Sequence, residues 1–164
     1  MKLWTKSTDA LKEVTDFTTG DDLTWDAMLA QYDVLGSLAH IKMLTSIGLI
    51  NEAEHKSLAV ELKKIHASIL NGKFVLETGV EDVHSQVELL LTNTLGNVGK
   101  KIHAGRSRND QVLVDIKLFL RFEIRDLGAD VKTLFDLLIT KSEEHKNKLL
   151  PGYTHLQLAM PSSF

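Results

Sequence analysis

The sequence predicts an all-α protein, with a small N-terminal helical domain followed by the start of a bundle of long helices. Apolar residues recur at intervals of three and four residues along most of the chain, which is the spacing of one helix face. Glycines and capping residues interrupt this pattern where separate helices would end and begin. After Asp110 the pattern runs almost unbroken to Leu149, so the last predicted helix is far longer than the others.

The composition is that of a globular protein. The chain has 164 residues, of which 43% are hydrophobic and 25% charged, which is enough apolar material for a core. Its net charge of -3 gives no attraction to phosphate backbones, so nucleic acid is not expected as a partner. The absence of cysteine excludes disulfides and thiolate chemistry. No stretch has the character of a membrane span or a secretory leader, which predicts a cytoplasmic protein.

Three helices are predicted before the long one. The first begins near Asp21, Asn51 and Glu54 fit a capping box at the start of the second, and Glu81 and Asp82 favour the start of the third. Their buried faces are predicted to be Trp25, Met28, Leu29, Tyr32, Leu35, Ala39, Met43 and Ile47 in the first, Leu58, Leu62, Ile65 and Ile69 in the second, and Val83, Val87, Leu90, Leu91 and Thr94 in the third.

The long helix is predicted to carry a broad apolar surface. Its apolar positions repeat about every 3.5 residues, as in helices packed side by side: Leu113, Ile116, Leu120, Ile124, Leu127, Val131, Leu134 and Leu138. The shorter helices cannot cover this surface along its whole length, so further helices are expected to pack against it. Pro151 and Gly152 would end the helix.

The remaining segments are predicted to be irregular. Residues 1–20 show weak periodicity, and residues 73–80 form a connector whose only candidate strand lies around residues 74–76. From Tyr153 onward the residues predict a loop that enters another helix. Because the sequence stops at Phe164, where that helix would begin, we expect the chain to be the N-terminal part of a longer protein.

A loop with two arginines lies directly before the long helix, within residues 100–115. Arg106 and Arg108 can each donate two parallel hydrogen bonds to a carboxylate. Ser107 and Asn109 add neutral donors, and the unpaired N–H groups of a helix start point into the same region. These residues favour equally an anion-binding corner and an ordinary capped helix start with solvated arginines.

Three further polar clusters stand out. Thr154 and His155 follow a turn, and an imidazole can transfer a proton near neutral pH, although a histidine at a helix start is the more ordinary interpretation. His84 lies one turn before Glu88, whose carboxylate could hold the imidazole in one tautomer, and acidic residues that cap a helix explain this segment equally well. Gly36 indicates a close helix crossing, with ligand contact as the second interpretation. The histidine spacings match no metal-ligand motif, so no metal site is predicted.

Taken in order, four segments carry a resemblance to a known family. DVLGSLAH, EDVHSQVE, KKIHAGRSRNDQVLVD and LLPGYTHLQLAMPSSF resemble the argininosuccinate lyases, within the aspartase and fumarase superfamily. The GYTHLQ motif is shared in looser form across the superfamily, whereas the HxGRSRND pattern is much more specific to the argininosuccinate branch. The resemblance extends from about Asp26 to Phe164.

The resemblance implies a first helical domain over residues 1–110 and the start of a long-helix domain over residues 111–164. That domain would associate into a homotetramer whose active sites are assembled from several subunits. The implied reaction, in arginine biosynthesis, splits argininosuccinate reversibly into arginine and fumarate without a cofactor or a metal. A proton leaves the carbon next to a carboxylate, so negative charge builds on that carboxylate and convergent donors would stabilise it.

The resemblance also implies the site residues. The catalytic group is His155, which assists proton transfer, Thr154, which holds a substrate carboxylate, and a second histidine near the site, His84. The substrate-binding group is Ser107, Arg108 and Asn109 for carboxylates, Asp26 for the arginine end, and Gln157 as a supporting residue. Asp22 stands where many members place a substrate-binding serine. The serine base of the family lies in a Met-Pro loop beyond Phe164, so the 164 residues alone are expected to be inactive.

Two other functions remain open at this point. The chain could belong to another lyase of the superfamily, of the fumarase or adenylosuccinate lyase type, which cleavage assays with argininosuccinate, malate and adenylosuccinate would distinguish. It could also be a crystallin-like, non-catalytic helical assembly protein, which would form tetramers that do not bind argininosuccinate.

Overall fold

The computed structural model describes residues 20–77 and 79–163, together with Val14 and Phe17 and without the side chain of Asp22. The irregular lead-in predicted for residues 1–20 therefore lies almost entirely outside the described residues. The chain divides into two compact units, Met1–Phe119 and Leu120–Phe164.

Helices dominate both units, which confirms the all-α class. The helices are α1 (Asp22–Asp26), α2 (Ala30–Ser46), α3 (Glu52–Leu70), α4 (Val83–Leu95), α5 (Asn97–Lys100) and α6 (Arg108–His145), with single-turn 3-10 helices at Ala27–Leu29 and Lys101–His103. Helix α6 has 38 residues and begins in the first unit and ends in the second. No described helix is long and apolar enough to cross a membrane.

Side-chain caps define the starts of α3 and α4. Asn51 Oδ1 accepts a hydrogen bond of 2.9 Å from Glu54 N, and Asn51 N donates to Glu54 Oε2 at 3.1 Å. This is the predicted capping box. Asp82 Oδ1 accepts a hydrogen bond of 2.8 Å from Ser85 N, so the acidic start predicted for the third helix is also a true cap.

The core of the first unit lies between α2, α3 and α4. Its buried apolar residues are Ala30, Val34, Ile41, Leu44, Ile50, Leu58, Leu62, Ile65, Val83, Val87, Leu91 and Ile102. The predicted stripe of α3 is confirmed at Leu58, Leu62 and Ile65. The candidate strand around residues 74–76 does not form, and Phe74 and Leu76 instead pack against this core.

The first predicted helix is divided into α1, a 3-10 turn and α2, and its buried face differs from the predicted one. Tyr32 is buried as predicted, but Trp25, Met28 and Ile47 are more than half exposed. The residues that α2 buries are Val34, Ile41 and Leu44, together with the polar Asp33 and Ser37. The prediction was wrong for most of this face because it followed a neighbouring apolar stripe of the same segment. The face that α2 turns inward is partly polar, and its polar residues bond to groups far along the chain.

Two glycines allow helices to approach closely. A Cβ atom built at Gly99 would lie 2.5 Å from the Leu91 carbonyl carbon, so a side chain there would collide with the backbone of α4. A Cβ atom at Gly36 would lie 3.3 Å from Val114 Cγ1 and 3.6 Å from Asp115 Oδ1. The close crossing predicted at Gly36 is therefore present, between α2 and the first turns of α6.

The second unit consists of the rest of α6 and a β-hairpin. Strands β1 (Leu149–Thr154) and β2 (Gln157–Ser163) pair antiparallel, with Leu149 opposite Ser163 and Thr154 opposite Gln157. The prediction of a loop entering another helix was therefore wrong. Pro151 and Pro161 both lie in these strands, and a proline disfavours a helix because it lacks the backbone N–H that a helix interior needs. In the hairpin, the backbone groups of the two segments bond to each other instead.

The turn of the hairpin has an unusual backbone. His155 and Leu156 both have positive φ, at 48° and 62°. Two successive positive values are typical of the two-residue type I′ hairpin turn, which normally prefers asparagine and glycine. The turn therefore holds the imidazole of His155 at an exposed hairpin tip.

Candidate active site

A buried group of two carboxylates and one imidazole lies where α2, α4 and α6 meet in the first unit. Asp33, His84 and Asp115 are 1%, 7% and 1% exposed. His84 Nδ1 lies 2.8 Å from Asp33 Oδ1 and 3.8 Å from Asp115 Oδ2. Gln111 Nε2 donates a further hydrogen bond of 3.3 Å to Asp33 Oδ1. We call Asp33, His84 and Asp115 the carboxylate–imidazole cluster.

The start of α4 positions the imidazole. Asp82 caps the helix, and Val83 N donates a hydrogen bond of 2.6 Å to Asp26 Oδ2. Two carboxylates thus satisfy N–H groups that a helix start leaves free. His84 follows in the first turn and is thereby directed toward α2. Burial raises the pKa of Asp26, although its bond to Val83 opposes this effect.

The electrostatic environment favours a charged imidazole. Burial alone would lower the pKa of His84, but the hydrogen bond to Asp33 and the negative charges of Asp33, Asp82 and Asp115 outweigh it, so the pKa is raised. Burial, followed by the charge of Asp33, raises the pKa of Asp115 from 3.8 to about 7. His84 and Asp115 therefore keep their protons at a higher pH than the same groups would in water.

The two arginines of the loop are bound within the chain. Arg106 Nη2 donates a hydrogen bond of 2.9 Å to Ser37 Oγ, and burial lowers the pKa of its guanidinium. Arg108 Nε lies 2.8 Å from Asp82 Oδ2, and its Nη1 lies 3.3 Å from Glu81 Oε1. The interpretation of a capped helix start predicted arginines that point into solvent, and neither side chain does so. The carboxylates that Arg108 contacts belong to its own chain.

The start of α6 is capped by Ser107 and Asp110. Asp110 Oδ2 accepts hydrogen bonds from Ser107 N at 2.7 Å and from Ser107 Oγ at 3.1 Å. These bonds lower the pKa of Asp110. Asn109 is exposed at this helix start, where the first N–H groups favour an anion. The loop therefore combines a capped start with two partly buried arginines that bond within the chain.

A small cavity of about 10 Å³ lies beside the cluster, which is room for roughly one water molecule. It is lined by Asp33, Ser37, His84, Val87, Glu88, Ile102, His103, Arg106 and Gln111. Pairing of His84 with Glu88 was one of two interpretations open for this segment, and the structure does not show this pair. Glu88 lines the cavity, but Asp33 on another helix accepts the imidazole bond.

The structure brings together only some of the predicted site residues. In the first unit, Asp26 supports the helix start that carries His84, and Arg108 reaches the cap of the same helix through Asp82. Ser107 bonds to Asp110, and Asn109 is exposed. In the second unit, three predicted residues lie together around the hairpin turn and are exposed: Thr154, His155 and Gln157.

Three residues of this site were not among those predicted from the sequence: Asp33, Asp115 and Gln111. A signal for the first two was present, because each is a single acidic residue beside apolar neighbours on both sides in a helical segment. Carboxylates are almost never fully buried without a partner, so an acid at such a position indicates a pairing partner elsewhere. The identity of that partner, His84, is not visible in the local sequence.

The donor set of the cluster is also one that metal ions use. One ligand atom from each of Asp33, His84 and Asp115 lies within 4.8 Å of the others. Because the pKa values of His84 and Asp115 are both raised, a cation would have to displace protons from this cluster.

The fold and the site define a helical protein with a buried carboxylate–imidazole cluster beside an arginine-bearing helix start. Residues 5–164 match the protein family described as "Lyase", and the chain belongs to this family.

Three similar proteins from different bacteria share one name. The chain is 60% identical over 163 residues to the "Argininosuccinate lyase" of Bacteroides thetaiotaomicron and 61% identical over the same length to that of Bacteroides fragilis. It is 46% identical over 168 residues to the "Argininosuccinate lyase" of Desulfitobacterium hafniense. These matches cover 99% to 100% of the chain but 36% of each relative, so the chain spans about a third of their length.

Proposed function

We propose that this chain forms part of an argininosuccinate lyase, which splits argininosuccinate reversibly into arginine and fumarate in arginine biosynthesis. The observation that supports this proposal most strongly is the 60% identity to a protein of that name over 99% of the chain. The geometry agrees with such chemistry, because a buried imidazole lies near a helix start whose N–H groups favour carboxylates.

The proposed reaction is an elimination. A base removes a proton from the carbon next to a carboxylate of the succinyl group, the C–N bond breaks, and its electron pair leaves with the guanidino nitrogen, which takes up a proton. A C=C bond forms in the fumarate. The transient charge on the carboxylate requires donors that are already oriented. For this role we propose Ser107, Arg108 and Asn109 of the α6 start, with Thr154.

Other roles complete the proposed site. His155 would assist proton transfer, His84 would act beside the substrate, and Asp26 and Gln157 would support the arginine end and the site. We propose that complete sites form between subunits of a homotetramer, as the family resemblance implies. The chain spans about a third of the length of its relatives, and we propose that these 164 residues are inactive alone and act in the cytoplasm as part of a larger assembly.

A chimeric enzyme tests this function. The first 36% of the Bacteroides thetaiotaomicron relative would be replaced by this chain, and fumarate release from argininosuccinate measured. We expect activity within about tenfold of the parent enzyme, and a loss of at least about a hundredfold on His155→Asn with assembly retained. The chain by itself should release no fumarate. A correctly assembled chimera without activity on argininosuccinate would contradict the proposal.

The same chimera distinguishes the other functions. Cleavage of adenylosuccinate or hydration of fumarate to malate in preference to argininosuccinate would support another superfamily lyase. Stable tetramers that neither bind nor cleave argininosuccinate would support a crystallin-like assembly protein. A chimera made with the Desulfitobacterium hafniense relative provides a second scaffold, so that a poor fit between the two parts is recognised.

A further inference from the structure

The bonds of Asp33 fix the orientation of the His84 ring. Asp33 Oδ1 receives an N–H from Gln111 Nε2 and faces His84 Nδ1 at 2.8 Å. An ionised carboxylate can only accept hydrogen bonds, so His84 Nδ1 is the donor when Asp33 is ionised. One ring nitrogen therefore carries a proton whatever the charge of the ring.

The other ring nitrogen is buried without a partner. His84 Nε2 has no hydrogen-bond partner among the described residues, and the same is true of Arg106 Nε, Gln111 Oε1 and Asp33 Oδ2. These residues all line the cavity of about 10 Å³, which has room for roughly one oxygen atom with its hydrogens. The cavity therefore suits a small polar ligand group, such as a water or a carboxylate oxygen.

We propose that Asp33 and Asp115 are positioning residues for His84: they direct its Nδ1–H toward α2 and keep the ring an imidazolium, so that its Nε2–H donates to an oxygen in the cavity. The effect on catalysis rests on the proposed function, whereas the state of the ring does not. Asp33 acts through the direct bond. Asp115, whose Oδ2 lies 3.8 Å from His84 Nδ1, adds its negative charge when it ionises as the pH rises through about 7.

The charges around His84 support the imidazolium. Every element packed around the ring contributes titratable or charged groups: Asp26 from α1, Asp33 from α2, Asp82 and Glu88 from α4, His103 and Arg106 from the segment between α5 and α6, and Asp115 from α6. Acidic groups are in excess. Their combined effect raises the pKa of His84 despite its burial.

Nuclear magnetic resonance of the 164-residue chain with nitrogen-15 histidine tests the state of the ring without any enzymatic activity. We expect both ring nitrogens of His84 to be protonated at neutral pH, with a signal assigned by its loss in His84→Gln. Asp33→Asn should shift the imidazolium equilibrium at least about tenfold toward the neutral ring, and Asp115→Asn should shift it less. Asp130→Asn, an exposed acid on α6, should leave it unchanged.

The protonation of His84 in the unmodified chain tests the proposal even if a variant fails to fold. A neutral His84 ring at pH 6.5, or a ring protonated at Nε2 only, would overturn the proposal. An unchanged titration in folded Asp33→Asn would overturn it as well.

The catalytic consequence is measured in the chimeric lyase. Asp115→Asn should lower kcat above about pH 7, where the native carboxyl ionises, with a smaller change in KM, and should move the alkaline limb of the pH profile toward lower pH. Asp115→Glu should restore part of the rate. An unchanged pH profile would show that catalysis does not use the imidazolium. Inactivity of the unmodified chimera would instead contradict the proposed function. The NMR titration would still show whether the His84 ring is an imidazolium.

Discussion

At the scale of single residues, Asp115 is a carboxyl group that the fold keeps protonated. Burial and the charge of Asp33 raise its pKa to about 7, whereas an unfolded chain releases this proton near 3.8. Folding therefore takes up a proton between these two values. The resulting stabilisation is complete below about pH 4 and is lost as the pH rises through about 7, and it amounts to at most about 4 kcal/mol.

The first prediction concerns Asp115→Asn. An amide has no charge to bury, so the free energy of unfolding of the variant should lack this pH-dependent loss. Relative to the unmodified chain, the variant should gain about 1 to 4 kcal/mol between pH 4.5 and pH 8. Urea unfolding at both pH values measures the change. Asp130→Asn is the matched control on the same helix, and an equal pH dependence in all three chains would show that Asp115 ionises freely.

At the scale of elements, close packing and caps determine which helices form. Helix α5 has four residues and makes its approach to α4 only because Gly99 has no side chain. In contrast, Gly128 lies inside α6 with no atom within 4 Å of a Cβ position. The two glycines therefore have opposite consequences for stability.

The second prediction uses this pair of glycines. Gly99→Ala should destabilise the chain by about 2 kcal/mol or more, because its methyl group would collide with the backbone at Leu91. Gly128→Ala should stabilise α6 by about 0.5 to 1 kcal/mol through helix propensity. Thermal and urea unfolding of both variants give the values. A tolerated alanine at Gly99 would mean that α5 can move away from α4.

The third prediction concerns the capping box of α3. Asn51→Ala removes the acceptor for Glu54 N and should lower the free energy of unfolding by about 1 kcal/mol. Ser57→Ala, at an exposed position within the same helix, should change it by less than about 0.5 kcal/mol. Equal effects of the two substitutions would indicate that the cap does not stabilise the folded chain.

At the scale of the whole molecule, the second unit leaves most of its apolar residues uncovered. The exposed apolar side chains of α6 within this unit are Leu120, Phe122, Ile124, Leu127, Val131, Leu134, Phe135, Leu137, Leu138 and Ile139, each between 43% and 65% exposed. Contiguous apolar surface of this kind is typical of an interface. The proposed homotetramer would cover it with helices of other subunits.

The fourth prediction follows from this surface. The 164-residue chain should associate with itself, with an average mass that rises with concentration in sedimentation experiments. Leu127→Glu combined with Leu134→Glu should reduce this association about tenfold or more, because a charge would have to be buried at the contact. Thr133→Glu adds the same charge at a polar position of α6 and should have a much smaller effect. A monomeric unmodified chain at high micromolar concentration would contradict the prediction.

Features that depend on nearby residues could be predicted from the sequence. Asn51 and Glu54 stand three positions apart, and the long helix repeats one pattern over many turns. The buried face of α2 could not be predicted, because Asp33 is stabilised by His84, 51 residues later. The hairpin was missed because a short apolar run with two prolines does not distinguish a strand from the start of a helix.

The same distinction applies to the candidate site. Motifs identified His84, Arg108 and His155, since the family resemblance is local to each segment. From the sequence, Glu88 on the same helix was one candidate partner for His84, whereas the imidazole bonds to Asp33 on another helix. Pairing across helices depends on how the helices pack, which the sequence of one helix does not specify.

The guanidinium of Arg108 already contacts Glu81 and Asp82. If Arg108 binds a substrate carboxylate, as proposed above, that carboxylate would compete with these two acids of the chain. The affinity would then reflect a difference between two similar interactions. Asp82 also caps the helix that carries His84, so its displacement would couple binding at Arg108 to the position of the imidazole.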